Sequence, residues 1–172
     1  DPEDLFQLST AYVTMAAELE FDPLAEAGLC FGEVESTDFR DALRDVADVL
    51  AEGEAETGTE SAIGTDDHGY GWVTLRDPDF EDLVTSAHFA ADTLVERGYG
   101  NRLLAAVFSF QRPESDERAY WIYSFRRGTF YPFAPRGRRE RDETLEFKLE
   151  TVLDGELDVE EDKAHWSPLW PD

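Results

Sequence analysis

The segment Ser124-Phe125-Arg126-Arg127-Gly128-Thr129-Phe130-Tyr131-Pro132-Phe133-Ala134-Pro135-Arg136 sets cations beside aromatic rings. Guanidinium groups bind carboxylates and phosphates through planar, paired hydrogen bonds, and they stack on rings. That chemistry is anion recognition rather than bond making. Three anionic surfaces suit it: a phosphate backbone, lipid headgroups, or an acidic protein face. The candidate contact residues are Trp121, Arg126, Arg127, Tyr131, Phe133, Arg136, Arg138 and Arg139. The alternative is a hairpin whose arginines pair with the chain's own carboxylates, as surface ion pairs readily do.

The charge around this segment is lopsided. Residues 112–141 hold eight arginines against four acids, a net +4, inside a chain of −25; the rest therefore carries −29. An anionic body repels a polyanion, and concentrated salt erodes phosphate contacts, so nucleic acid is not an expected partner.

Other reactive residue types form no constellation. The chain lacks a G-x-S-x-G elbow and a third glycine after Gly69-Tyr70-Gly71 or Gly98-Tyr99-Gly100, so both pairs read as turn and cap glycines. Cys30 reads as a small buried residue in a strand. Asp66, Asp67 and His68 share one turn, too few and too local for a four-ligand zinc site. His88 reads as a partly buried, hydrogen-bonded helical residue, and His165 as packed beside Trp166. Carboxylates are so abundant that no pair stands out. No catalytic residue, metal or cofactor is assigned.

Forty acids stand against thirteen arginines and only two lysines, Lys148 and Lys163. At molar salt the screening length falls to about 3 Å and such repulsion is tolerated. The acidity therefore reads as adaptation to a salty cytoplasm. One cysteine excludes an internal disulfide, and no secretory leader or spanning apolar run is seen, which also fits a cytoplasmic protein. The chain opens at Asp1 with its first methionine at Met15, so a natural start upstream is expected.

The elements that would position the basic segment follow from periodicity. Residues 28–50 align without gaps on 69–91: Gly28 with Gly69, Phe31 with Trp72, Val34 with Leu75, Phe39 with Phe80. Each copy reads as a strand, a capped turn and an amphipathic helix. Ser36 and Asp77 are the expected N-caps, with Pro78 at the first helical position. The helices are expected to end near Glu52–Gly53 and at Arg97–Gly98. A strand is expected before each copy. One is Thr59 to Thr65, joined to Tyr70–Leu75 by Asp66-Asp67-His68-Gly69. The other is Val13 to Phe21, after a short helix near Glu3–Leu8, although the 3–4 spacing of Leu5, Leu8, Tyr12, Met15 and Leu19 fits a helix equally. Leu103–Phe110, Ala119–Arg126 and Thr129–Phe133 read as further strands, with a tight turn at Arg127-Gly128. Asp142 caps a last helix that stops before Gly155. The Trp/Pro tail, residues 164–172, is expected to lie extended over the body. The sum is one α+β domain over residues 1–172: a mainly antiparallel sheet with helices packed on it, built from two hairpin–helix repeats, a β-meander and a C-terminal helix.

Several words in the chain carry a resemblance: Asp4-Leu5-Phe6, Ser9 to Thr14, Glu81 to Thr85, Gly98-Tyr99-Gly100, Tyr123 to Arg127, Thr129 to Arg136, and Pro168-Leu169-Trp170-Pro171. In these the chain resembles the PspAB family, PspA-associated proteins of haloarchaeal type, some labelled HTR-like. The resemblance spans nearly the whole chain. It implies a short amphipathic segment upstream of Asp1. It also implies an accessory role in an envelope-stress system built on a membrane-remodelling coiled-coil protein, and brings no catalytic residues. The expected function is thus a non-enzymatic adaptor whose basic hairpin docks on an acidic PspA-like protein or, peripherally, on a membrane surface. The alternative is a small-ligand sensor with its pocket between sheet and tail.

Overall fold

The computed structural model describes residues 1–32 and 35–170. The expected α+β class holds. Six strands form one antiparallel sheet in the order β2-β3-β1-β4-β5-β6: β1 Asp22–Phe31, β2 Glu60–Thr65, β3 Gly71–Arg76, β4 Leu103–Gln111, β5 Arg118–Ser124 and β6 Thr129–Phe133. Four helices, α1 Leu8–Leu19, α2 Thr37–Thr57, α3 Phe80–Glu96 and α4 Glu143–Leu153, pack on one face.

Period-2 alternation sorts the strands onto two faces. Val73, Leu75, Ala106, Phe108, Phe110, Trp121 and Tyr123 point at the helices and are buried with Phe39, Leu83 and Leu94. Trp72, Cys30, Ala105, Ile122 and Tyr131 point to the opposite face, which carries no α-helix among the described residues.

The expected strand at Val13–Phe21 is instead the helix α1, and a 3₁₀ turn, Pro2–Gln7, precedes it. Leu8, Ala11, Met15 and Leu19 form its buried stripe, while Val13, which a strand would turn inward, is 55% exposed. The Met15 sulfur accepts the Trp121 indole N–H at 3.3 Å. Both periods were present, and burial against β5 selects the helical one. The first repeat therefore has no hairpin. β1 pairs directly with β3 and β4. Val34 of the repeat and Pro171 of the tail lie outside the described residues.

Capping departs from expectation in two places. Ser36 does cap α2, accepting from Phe39 N–H at 3.1 Å, but the helix runs past Gly53 to a left-handed Gly58. Asp79, not Asp77, caps α3, so Pro78 precedes the helix. Asp77 is buried and accepts from the Thr59 hydroxyl and from Asp79 N–H. It staples the entrance of β2 to the turn before α3. Asp142 caps α4 as expected, through Leu145 N–H at 3.0 Å. Gly98 takes the left-handed conformation after α3 that suits a C′ glycine.

Candidate functional site

The hairpin β5–β6 is built from rings that alternate in direction. Ser124 pairs with Thr129 across the loop Phe125–Gly128, where Gly128 has φ 68°. Trp121 is fully buried beneath α1, and Tyr123 donates its hydroxyl to Asp4 at 2.6 Å. Tyr131 and Phe133 face the other way, toward the tail.

The tail lies across the helix-free face. After the 3₁₀ turn Lys163–His165, Trp166 buries its ring against Ile122, Tyr131 and Phe133 and donates from Nε1 to Glu160 O at 2.9 Å. Tyr131 donates to Ser167 O at 2.9 Å, and Trp170 meets Phe133 edge-on at 5.1 Å between centroids. Burial pushes the Tyr131 phenol up to about 12, so it stays a donor at any physiological pH. Arg141 holds the tail from the other side. Its guanidinium donates to Trp166 O and, from Nε, to the buried Glu146 at 2.9 Å.

This arrangement leaves an open groove of about 990 Å³ between sheet and tail. Trp72, Cys30 and Ala105 form its floor, and Leu169 and Trp170 one wall. The Trp72 ring is held by a strong local device. Its Nε1 donates to Asp66 Oδ2 at 2.9 Å, while Asp66 Oδ1 accepts from His68 N–H and Tyr70 N–H at 2.9 and 3.0 Å. The Trp72 bond, aided by those amides, lowers the Asp66 carboxyl below its usual range. Burial first, then the Asp66 charge, raises the Cys30 thiol to about 12, which disfavours the thiolate.

Arginines crowd one end of the groove. Arg126, Arg127 and Arg139 all line it. Arg127 is committed to Glu160, Nε to Oε1 at 2.7 Å. Arg126 and Arg139 make no hydrogen bond or ion pair among the described residues. Arg139 is exposed at the tip of the loop after β6 with a left-handed φ of 57°, uncommon for a side chain with a Cβ.

The anticipated contact residues thus separate. Arg126, Arg127, Tyr131 and Arg139 converge on the groove. Arg136 and Arg138 stand on the exposed loop beside it, with Arg136 3.8 Å from Glu140. Trp121, Tyr131 and Phe133 are inside the molecule, so the expected exposed aromatic ridge does not exist. Strand alternation puts Trp121 under a helix, and the tail covers the other two rings. Internal pairing also removes part of the basic island: Arg112–Glu117, Arg127–Glu160 and Arg141–Glu146 are all within 3.0 Å.

Sequence reasoning missed Trp72, Tyr70, Leu169 and Trp170. The alternation of β3, with Val73 and Leu75 inward, was enough to place Trp72 on the helix-free face; nothing local says where the tail lands. His88 is partly buried, as expected, but its Nδ1 has no hydrogen-bond partner among the described residues, and its ring sits between Phe6 and Phe89. Among the described residues no three His, Cys, Asp or Glu side chains converge as a metal site requires, and no helix is long and apolar enough to cross a membrane.

No curated protein and no solved structure matches the chain. The family PspA associated protein B matches residues 1–172, its whole length. A helix-backed sheet with an arginine-rimmed groove is therefore the architecture of this chain as a member of the PspAB family, to which it belongs.

Proposed function

We propose that this protein is a non-enzymatic accessory of a PspA-type envelope-stress system in a salt-rich cytoplasm, and that its groove seats an acidic segment of a PspA-like partner. The family description supports the association. The single observation carrying the docking site is Arg126 and Arg139, cations without a partner among the described residues that face one aromatic-walled groove on a chain of −25. In such a chain, free cations beside an open cavity complement an acidic guest. Trp72 and Trp170 supply the desolvated contact that interfaces concentrate in a few aromatic anchors, and the arginines supply orientation.

The test is co-purification of the full-length protein with its PspA-like partner from lysate kept at native salt. The double substitution Arg126→Glu, Arg139→Glu abolishes capture on this reading. Undiminished capture refutes it. Sedimentation with anionic vesicles, reversed by high salt and independent of the partner, would move the site to a membrane surface.

The location of the groove, between sheet and tail, also favours a small-ligand sensor. A small acid that raises the melting temperature and is displaced by neither partner nor vesicles would establish that reading instead.

A further inference from the structure

The two edges of the sheet are treated differently. β6 is covered: Phe130 N–H donates to Asp158 O and Glu160 N–H donates to Phe130 O, each at 2.8 Å. β2 ends the sheet on the other side, and every residue of Glu60–Thr65 is exposed. The hairpin closes with Asp66 N–H on Tyr70 O at 2.8 Å. Antiparallel alternation from that bond turns the N–H and C=O groups of Ser61, Ile63 and Thr65 away from β3, toward solvent. Proteins usually blunt such an edge with lysine, proline or a bulge. β2 has no lysine or proline and pairs with β3 in unbroken register. At its centre Ile63 is 38% exposed, one of the exposed large apolar side chains of the molecule.

We propose that β2 pairs antiparallel with β2 of a second copy of this chain about a two-fold axis at Ile63, joining two six-stranded sheets into one. A two-fold perpendicular to the sheet keeps each face on its own side, so only residues on the same face lie opposite one another. Centring on Ile63 satisfies this. Ser61 then exchanges hydrogen bonds with Thr65 of the second copy, and Ile63 with its own counterpart. Ala62 lies opposite Gly64 of the second copy, small against small, and a Cβ at Gly64 would meet nothing within 4 Å in the isolated chain. The two Ile63 side chains meet on the helix side of the seam.

Charge sets the conditions. Glu60 falls opposite Asp66 of the second copy, and Glu54 and Glu56 near the end of α2 add to the repulsion. Self-association is therefore suppressed in dilute salt and appears as screening shortens. The seam shares only the Asp66 turn with the groove that Arg126 and Arg139 line, and its salt response is opposite to that of a groove binding an acidic guest. The two proposals fail independently.

The experiment is light scattering and sedimentation of the full chain at about 0.1 M and about 1 M KCl, between which the screening length falls from roughly 10 Å to roughly 3 Å. The wild type doubles in mass at the higher salt. Ile63→Pro removes an N–H that β3 does not use, so the hairpin survives. Ile63→Lys places a gatekeeper charge at the seam. Ile63→Pro weakens self-affinity about tenfold or more, the scale of losing one or two hydrogen bonds. Ile63→Lys keeps those bonds but replaces the apolar contact by two like charges directly opposite each other, and also weakens self-affinity. Both leave the circular dichroism spectrum unchanged. If the proline variant fails to fold, the lysine variant decides. A monomer at both salts, or a dimer that survives Ile63→Lys, overturns the proposal.

Discussion

Arg127 donates from Nε to Oε1 of Glu160 across 2.7 Å, tying the loop after β5 to the segment that covers β6. The two ends of this pair live in different media: the Glu160 side chain is 7% exposed and that of Arg127 44%. Glu160 also accepts from the Thr129 hydroxyl and from Asp162 N–H. One carboxylate thus anchors β6, the loop and the start of the tail.

The Arg127 bond, helped by the Asp162 amide, lowers the Glu160 carboxyl from 4.5 to about 2. A depressed folded-state value means the stabilisation is full above the unfolded value and is lost as pH falls from 4.5 toward 2. Glu160→Gln should cost about 1.5–3 kcal/mol at pH 7, the scale of hydrogen bonds to a charged group. At a pH near 2 the same substitution should cost much less. Denaturant midpoints at the two pH values check this, and an equal cost at both would contradict it.

Trp166→Ala removes the ring that seats the tail on Ile122, Tyr131 and Phe133. The expected cost is about 3–5 kcal/mol, as for other buried aromatic truncations, with faster tryptic cleavage at Lys163. Trp166→Phe keeps most of the packing and loses only the bond to Glu160 O, about 1 kcal/mol. Melting temperatures and cleavage rates separate the two. A tail that stays protected in Trp166→Ala would mean that the bonds from Arg141 and Tyr131 to its backbone hold it without the ring.

Legibility followed locality. Asp142 before an amphipathic stripe, the turn Asp66–Gly69 and Gly98 after a helix are short-range signals, and each appears where the chain places it. Leu8 to Phe21 satisfied two periods at once, and only the arrival of Trp121 from a distant strand decided between them. The arginines were visible as a cluster. Which of them stay free was not, because Glu160 reaches Arg127 from 33 residues away, through the tertiary fold. The groove depends on where the tail lies, which rests on Tyr131–Ser167 and Arg141–Trp166, bonds with no local signature.

Gly71 opens β3 against the ring of Phe31, where an added Cβ would stand 2.0 Å from that ring. Phe31 is fully buried and in edge contact with Phe39, so it cannot retreat freely. Gly71→Ala should destabilise by about 1–3 kcal/mol, typical of overpacking. Gly64→Ala, one strand away with open space around it, should be neutral or gain about 0.5 kcal/mol from reduced chain entropy. Chemical denaturation of both variants tests the contrast, and similar effects would refute the crowding at Gly71.

Salt acts on this molecule in two opposing ways. Screening weakens exposed ion pairs such as Arg44–Asp41, each contributing at most about 1 kcal/mol. It also relieves repulsion across a chain of −25, most of whose forty acids enter no ion pair among the described residues. Repulsion involves many more charges than attraction, so relief should win. The melting temperature should therefore rise steadily from about 0.1 M to about 1 M KCl, as the screening length shrinks from roughly 10 Å to roughly 3 Å. Each kcal/mol regained would appear as about 2–4 °C in a chain of this size. Sucrose at matched osmolality excludes itself from the surface without screening, so it should reproduce only part of the gain. A melting temperature that is flat or falling with KCl would show that the acidity is balanced inside the fold rather than by the solvent.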